Sequence, residues 1–216
     1  MPATAELTDY YARRASEYDQ VYLKPERQAD LAQLRLLLRD LMAGRSVYEV
    51  ACGTGYWTAV FAATAATVFA TDYNQEVLDV ANSRALPDSV VFARGDAFAL
   101  PPPPFRCNAG FAGFWWSHLR DEEIGSFLDG FFAQLPPGAR FVFIDNAYVE
   151  GSSTRLSRTD TAGNTYQMRK LASGETHEVL KNFPDETTMR RHLEPRARNI
   201  VWKCLPYYWV VCGEVL

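Results

Sequence analysis

The sequence has few residues of the kinds that build metal sites and disulfide frameworks. It contains three histidines and four cysteines, and no cysteine pair has C-x-x-C spacing. Cys52, Cys107, Cys204 and Cys212 lie far apart in the chain, which argues against a zinc site or a set of disulfides. We therefore expect buried, reduced thiols and no bound metal.

Long apolar segments and runs of like charge are also missing. No apolar stretch reaches the roughly 18 residues that suggest a membrane span, and the first residues do not look like a signal peptide. The 22 Lys and Arg residues against 26 Asp and Glu give a net charge of −4, which lends little support to DNA or RNA binding. We expect a cytoplasmic protein without a nucleic-acid or membrane partner.

What the sequence does have is the composition of one globular domain. Hydrophobic residues make up 48% of the chain and charged residues 22%, which argues against disorder. Short β-prone runs alternate with helical ones; they are VYEVA, TVFAT, VVFAR, AGFAGFW and RFVFI, which begin at residues 47, 67, 90, 109 and 140. This alternation predicts βαβ units, a parallel sheet and a single domain over residues 1–216.

Apolar spacing places two helices beside these strands. A leucine stripe from Leu31 to Leu41 predicts an amphipathic helix that ends at Gly44, a residue suited to a left-handed cap. A second helix carries apolar residues over 124–135 and stops at Pro136. Both helices should pack on the sheet.

The last third of the chain has a different pattern. Residues 149–182 begin with a polar, turn-rich segment and predict an inserted hairpin, and a helix is expected after Pro184. The runs NIVWKCL and YYWVVCGEV, separated at Pro206, are too close together for a crossover helix. These terminal strands must therefore pair antiparallel.

The most informative segment is VYEVACGTGYWT, residues 47–58, in which a buried strand runs through a glycine turn into a helix. Gly53 and Gly55 let the backbone bend sharply and approach a ligand, and the helix start offers free N–H groups. A dinucleotide fingerprint needs a third glycine, but Tyr56 and Thr58 occupy the positions at which it could fall. No Gly-Lys-Ser or Gly-Lys-Thr follows, which excludes a P-loop.

This segment resembles motif I of the class I S-adenosylmethionine-dependent methyltransferases, an acidic residue followed by small residues at alternate positions. Here these are Glu49, Ala51, Gly53 and Gly55, with Ala51 in place of the usual first glycine. Asp72 follows at the end of the second predicted strand, where the similar acid of the family accepts hydrogen bonds from both ribose hydroxyls. Taken alone, Asp72 could also be an acid at the start of the next helix.

Two further segments carry the resemblance. RGDAFALP puts Asp96 and Ala97 after the third strand, where contacts to the adenine amino group and ring are implied, although Asp96 alone would be an ordinary turn residue. YYARRASEYD, in an N-terminal arm over residues 1–23, is similar to the arms of members related to the menaquinone and ubiquinone methyltransferases. The cofactor contacts predicted in this way are Tyr11, Tyr18, Glu49, Ala51, Cys52, Gly53, Gly55, Trp57, Asp72, Tyr73, Asp96, Ala97 and Phe114.

The resemblance also implies a fold, an α/β Rossmann-like sheet of seven mostly parallel strands in the order 3-2-1-4-5-7-6. Its terminal strand is antiparallel, and helices cover both faces. Ligands of such sheets lie at the carboxyl ends of the strands. The loops after strands one, four and five and the arm should therefore face the transferred methyl group.

Those loops are rich in aromatic residues, which favours a hydrophobic or aromatic acceptor. The predicted acceptor contacts are Tyr22, Trp115, Trp116 and Tyr148. Each ring taken singly is equally well explained as a cover for the open end of the sheet.

His118, after FWWS at the end of strand four, is the titratable residue best placed near the methyl group. We predict that it is the general base, because an ordinary pKa of about 6.5 suits proton transfer; capping of the next helix explains it equally well. Asp145 and Asn146 resemble the Asp-Asn pair of metal-dependent catechol-type enzymes. The further carboxylate that such a site needs after strand four is missing, so no metal is expected.

The sequence thus predicts in-line methyl transfer from S-adenosylmethionine to O or N of a small apolar or aromatic metabolite. Two alternatives stay open: a non-catalytic nucleotide-binding module, and an NAD-dependent oxidoreductase, which Tyr56 and Thr58 disfavour. The insert over 149–182 is predicted either to cover the substrate or to form a contact in a homodimer.

Overall fold

The computed structural model describes residues 3–216, with side chains for residues 9–15 and 17–216. The α-helices are α1 (Ala3–Arg14), α2 (Gln28–Met42), α3 (Tyr56–Phe61), α4 (Gln75–Asn82), α5 (Asp121–Phe132) and α6 (Glu186–Leu193). The strands are β1 (Ser46–Val50), β2 (Thr67–Asp72), β3 (Val90–Arg94), β4 (Ala109–Gly113), β5 (Arg140–Asn146), β6 (Leu156–Thr159), β7 (Thr165–Lys170), β8 (Thr176–Leu180), β9 (Ala197–Cys204) and β10 (Tyr208–Val215). Short 3₁₀ turns cover Ala15–Leu23, Pro25–Arg27 and Trp116–His118.

Seven strands form the main sheet in the order β3-β2-β1-β4-β5-β10-β9. The first five are parallel to one another, whereas β10 runs antiparallel to both β5 and β9. Because β9 and β10 are the sixth and seventh strands of this sheet along the chain, the predicted order and the predicted antiparallel end are both confirmed.

Helices bury both faces of this sheet. On one face, Leu31 and Leu38 of α2 pack with Phe61 of α3, and on the other, Phe127 and Phe131 of α5 lie in a separate cluster; all five side chains are fully buried. Burying each such side chain contributes roughly 1.5–3 kcal/mol, so these stripes hold the helices on the sheet. The helices cover the two faces of the sheet and leave the carboxyl ends of its parallel strands uncovered.

The insert differs from the predicted hairpin, because it is a sheet of three strands in the order β6-β7-β8. The hairpin is present as β7 and β8, with a turn at Gly174 that has a φ of +94°. The added strand, β6, is exposed at all four positions and is tied to β8 by an ion pair between Arg158 and Glu178. A strand without a buried face has no hydrophobic alternation by which it can be predicted.

Two smaller expectations also need correction. The run AGFAGFW is a strand only to Gly113, because Phe114 has a φ of +60° and turns the chain out of the sheet. Cys204 is exposed at the end of the edge strand β9, and Cys212 is only half-buried, so the expectation of four buried thiols was wrong. No helix within residues 3–216 is both long enough and apolar enough to cross a lipid bilayer.

Candidate active site

The turn between β1 and α3 is built from left-handed backbone. Ala51, Gly53 and Gly55 have φ values of +54°, +55° and +72°. A Cβ on Gly55 would lie 3.1 Å from the Cβ of Ala81 in α4, so this glycine is required both by its φ and by close packing. At Ala51 the same kind of backbone costs about 1–2 kcal/mol, since its Cβ crowds the following carbonyl. The turn is therefore a strained structure that its neighbours must hold in place.

Asp72, at the end of β2, holds the turn from the next strand. Its carboxylate accepts hydrogen bonds from the backbone N–H of Gly53 at 2.8 Å and from that of Asn74 at 3.0 Å. Burial raises the pKa of Asp72, while the backbone hydrogen bonds act in the opposite direction. The carboxylate thus lies beside the glycine turn and also borders the cavity described below.

Glu49 supports the turn from beneath. It is 1% exposed and accepts a hydrogen bond of 2.6 Å from the Thr58 hydroxyl in α3. Burial raises the pKa of Glu49 to about 8. The structure therefore makes Glu49 a buried brace between β1 and α3, away from the cavity wall.

A cavity of about 800 Å³ opens at the carboxyl ends of the parallel strands. Sites for small molecules occupy roughly 300–1,000 Å³, so this volume can hold a nucleoside-sized cofactor together with a small acceptor. The predicted site residues that line it are Tyr11, Tyr18, Ala51, Gly53, Asp72, Tyr73, Asp96, Ala97, Phe114, Trp115 and His118. The structure adds residues that the sequence did not single out, namely Asp9, Ala12, Asn74, Gln75, Glu76, Val77, Arg94, Gly95, Phe98 and Gly113.

Other predicted site residues do not reach the cavity wall; they are Tyr22, Glu49, Cys52, Gly55, Trp57, Trp116 and Tyr148. Tyr22 and Trp57 are buried and bonded to each other, the indole Nε1 donating to the phenol oxygen at 3.1 Å. Trp116 packs in the core against Trp209, and Tyr148 contacts Phe183. Position after a strand locates such a ring in the chain but does not determine the direction in which it points.

His118 is held between two other parts of the chain. Its Nδ1 lies 2.8 Å from the carbonyl oxygen of Leu180 in β8, and its Nε2 lies 2.8 Å from the Tyr11 hydroxyl in α1. A carbonyl oxygen can only accept, so Nδ1 carries the proton and Nε2 is the acceptor. Burial and the nearby Lys181 ammonium lower the pKa of His118 to about 3, so the imidazole is neutral at physiological pH.

A buried ion pair lies next to His118. Lys181 donates to Asp145 at 2.9 Å, and both residues are almost completely buried. Burial alone would raise the pKa of Asp145, but Lys181, His118 and the Ser117 hydrogen bond lower it overall, so the carboxylate is ionised. Asp145 is thus engaged by Lys181 and by the backbone N–H of Ser117. Over residues 3–216, no group of three or more His, Cys, Asp or Glu side chains is arranged to hold a metal ion.

The arm is fastened to the glycine turn by three polar side chains, which we call the arm latch: Asp19, Thr54 and Arg84. Thr54 donates its hydroxyl to Asp19 at 2.5 Å, and Arg84 donates to the same carboxylate and to the Thr54 carbonyl. Sequence reasoning missed Arg84 and Lys181, because a lone cation after a helix or strand gives no pattern. The only signal for the latch was the acid of the Tyr-Asp pair that ends the arm segment.

Comparisons with known proteins agree with this architecture. Residues 47–138 match a family model described as a methyltransferase domain. The solved complex of DhpI with SAM and HEP is 25% identical to this chain, with a TM-score of 0.80 over 97% of this chain and 96% of that one. The DhpI complex with SAH gives a TM-score of 0.78 at the same identity, over 98% of this chain and 96% of that one.

Curated proteins with similar sequences are also methyltransferases by name. A demethylmenaquinone methyltransferase of Clavibacter sepedonicus is 32% identical over 105 residues, 48% of this chain and 42% of that protein. A probable S-adenosylmethionine-dependent methyltransferase of Mycolicibacterium smegmatis is 30% identical over 149 residues, 68% of this chain and 55% of that protein. The matches therefore span about half the length of these relatives.

The chain matches a methyltransferase domain over residues 47–138, and its fold is shared with solved methyltransferases. The residues at the cavity fit S-adenosylmethionine, the compound named SAM in the DhpI complex. A Cβ on Gly53 would meet no atom within 4 Å, so the space against the turn is open to a ligand. The carboxylate of Asp72 at this place is an acceptor for hydroxyl donors such as those of a ribose.

Proposed function

We propose that this chain transfers the methyl group of S-adenosylmethionine to an oxygen or nitrogen atom of a small apolar or aromatic metabolite. The observation that carries the proposal is a single cavity bordered by a glycine turn, an acid at the end of β2 and a neutral histidine that can accept a proton. An adenosyl compound and an acceptor would then meet within one cavity.

The cofactor would lie against the turn after β1. In this proposal Asp72 binds the ribose hydroxyls, and Asp96 and Ala97 contact the adenine, which extends toward the loop after β3. All three residues border the cavity on the side of β2 and β3. This arrangement leaves the space near Phe114 and His118 for the sulfonium and the acceptor.

Aromatic side chains support an aromatic or apolar acceptor. Tyr11, Tyr18, Phe114 and Trp115 border the cavity close to His118 in the fold. Such rings offer apolar area and also attract a cation such as the sulfonium, by about 0.5–2 kcal/mol. The DhpI complex holds SAM and a second compound, HEP, in one structure, which supports a shared cavity for cofactor and acceptor.

The main task of the protein in this reaction is to align the acceptor atom with the methyl group. Bound S-adenosylmethionine supplies a methyl group that is already activated by the sulfonium. Holding the acceptor in line with the S–CH₃ bond can lower the barrier by roughly 7–11 kcal/mol, whereas a general base adds a factor of about 10² to 10⁴. In this proposal His118 accepts the acceptor's proton; burial and the Lys181 ammonium disfavour the imidazolium that forms, and the Asp145 carboxylate offsets part of that cost.

Cofactor titration separates this proposal from its alternatives. Calorimetry should detect micromolar binding of S-adenosylmethionine and S-adenosylhomocysteine and none of NAD. A panel of hydroxylated and amino-substituted aromatic compounds, assayed for release of S-adenosylhomocysteine, should then yield at least one acceptor. Binding without turnover across the panel would favour a nucleotide-binding module, and binding of NAD alone would favour an oxidoreductase.

Replacement of His118 by Ala tests its proposed role. We expect turnover to fall by about 10²-fold or more while the affinity for S-adenosylhomocysteine is unchanged, because the imidazole handles the proton and does not hold the cofactor. A loss smaller than about threefold at unchanged affinity would leave no role for His118 as a base.

We also propose that the insert covers the site. Arg13 of α1 donates to Glu175 in the turn between β7 and β8 at 3.0 Å, and Tyr10 is buried with Leu171 and Val179. The insert and the arm are therefore packed together beside the cavity. An experimental structure of the free protein with the insert remote from the cavity, at the interface of a homodimer, would overturn this assignment.

A further inference from the structure

Tyr11 makes a contact that a cofactor-binding residue does not need. Its hydroxyl lies 2.8 Å from Nε2 of His118, while its ring packs edge-on against Tyr10, Tyr18 and His118 itself. The side chain also borders the cavity. The resemblance of the N-terminal arm to those of related methyltransferases predicted that Tyr11 contacts the cofactor. In the structure its hydroxyl is instead hydrogen-bonded to His118, the proposed base.

The direction of this hydrogen bond follows from the other side of the imidazole. Since the Leu180 carbonyl takes the Nδ1 proton, Nε2 has only a lone pair to offer, and the Tyr11 hydroxyl must donate to it. Burial raises the pKa of Tyr11 well above its usual value, which keeps the hydroxyl protonated and able to donate. The charged groups around it are Arg14 on its own helix and Arg169 on the insert.

A consequence for proton transfer arises at Nε2. The lone pair that should accept the acceptor's proton is already occupied by the Tyr11 hydroxyl. An acceptor hydroxyl in the cavity can reach the Tyr11 oxygen, which has lone pairs of its own, without displacing that hydrogen bond. Tyr11 and His118 both border the cavity, and the tyrosine hydroxyl occupies the ring nitrogen that would take the proton.

We propose that Tyr11 relays the acceptor's proton to His118, an inference that rests on the function proposed above. As the acceptor oxygen forms its bond to the methyl carbon, the S–CH₃ bond breaks and its electron pair stays on sulfur. The acceptor's proton passes to the Tyr11 oxygen while the Tyr11 proton passes to Nε2 of His118. The products are the methylated acceptor, S-adenosylhomocysteine and an imidazolium, which loses its proton to solvent before the next cycle.

The first test needs no acceptor. Long-range ¹H–¹⁵N spectra of protein labelled at histidine report which ring nitrogen is protonated, and His118→Gln assigns the signals. We expect an unprotonated, hydrogen-bonded Nε2 that shifts in Tyr11→Phe and not in Tyr10→Phe. A proton on Nε2 in the wild type, or a signal insensitive to Tyr11→Phe, would overturn the relay.

Tyr10→Phe is a matched control, because it removes a hydroxyl from the same helix. The Tyr10 hydroxyl accepts from Arg14 at 2.7 Å, and its ring is buried against the insert, away from the cavity. Loss of fold from arm packing would affect both variants, whereas loss of the relay affects Tyr11→Phe alone.

Turnover of an acceptor found in the panel provides the second test. We expect kcat of Tyr11→Phe to fall by about tenfold or more, with KM for S-adenosylmethionine within about twofold of the wild type. Because the two groups act in one path, Tyr11→Phe should cost little in the His118→Ala background. Weaker cofactor binding at unchanged kcat would return Tyr11 to the cofactor and overturn the relay.

The two proposals fail differently. If His118→Ala abolishes turnover and Tyr11→Phe does not lower it, the relay alone is wrong. If His118→Ala leaves turnover intact, the base assignment is wrong, and the relay with it.

Discussion

Thr58 stands where a dinucleotide motif can have its third glycine, and its hydroxyl donates to the buried Glu49. A glycine here would leave that carboxyl without its partner, at a cost of about 1–3 kcal/mol for an unsatisfied buried group. The residue that argues against NAD in the sequence is therefore a structural support of the glycine turn.

Cofactor binding at the glycine turn should depend on Asp72. We expect Asp72→Ala to weaken binding of S-adenosylhomocysteine by at least about tenfold, since the carboxylate orders Gly53 and, in the proposed function, also binds the ribose hydroxyls. Isothermal titration calorimetry measures the change, and Asp88→Ala, at an exposed acid before β3, is the control. Equal affinities for the wild type and Asp72→Ala would contradict this placement of the cofactor.

Single residues could be predicted where the backbone imposes a position. Gly53 and Asp72 border the cavity because a turn and a strand end leave them no other place. Tyr22 and Trp57 are equally close in the chain to predicted loops, yet their rings turn into the core. The direction of a ring depends on packing partners far away in sequence, and a single sequence does not contain that information in readable form.

At the scale of elements, the arm is joined to the glycine turn by the arm latch. Arg84, two residues after α4, donates to Asp19 of the arm and to the Thr54 carbonyl of the glycine turn. The Arg84 guanidinium therefore binds both the arm and the glycine turn.

The latch should slow release of the cofactor product. In Arg84→Gln we expect S-adenosylhomocysteine to dissociate about three- to tenfold faster, a modest effect because the ion pair is partly exposed. Stopped-flow displacement measures the rate, and Arg106→Gln, at an exposed arginine before β4, is the control. An unchanged dissociation rate would mean that the arm is held in place without the latch.

The elements that could be predicted are those with a buried face. The strands of the main sheet and helices α2 and α5 carry clear apolar patterns, because each packs against another layer. The exposed β6 and the short 3₁₀ turns of the arm carry none, and only the structure reveals them. The strand order came from the family resemblance, whereas nothing in the sequence indicated the third strand of the insert.

For the whole molecule, two buried groups make stability depend on pH in opposite ways. Glu49 has a folded pKa of about 8 against an ordinary value of 4.5, so the stability linked to its protonation is lost as the pH rises toward 8. His118 has a folded pKa of about 3 against 6.5, so its contribution is lost as the pH falls below 6.5.

Glu49→Gln should separate these effects. Between about pH 5 and pH 8 we expect the melting temperature of this variant to rise relative to the wild type, because its amide does not ionise. Thermal unfolding followed at several pH values measures the difference, and Glu122→Gln, on the exposed side of α5, should show no such trend. A constant difference between Glu49→Gln and the wild type would show that Glu49 titrates at its ordinary pH when folded.

The insert orients His118 through a peptide carbonyl, that of Leu180, and not through a side chain. Point substitutions do not remove a main-chain oxygen. Side chains on the outer surface of the insert can therefore be substituted without removing the hydrogen bond from His118 Nδ1 to the Leu180 carbonyl. The imidazole would keep the same tautomer in each such variant.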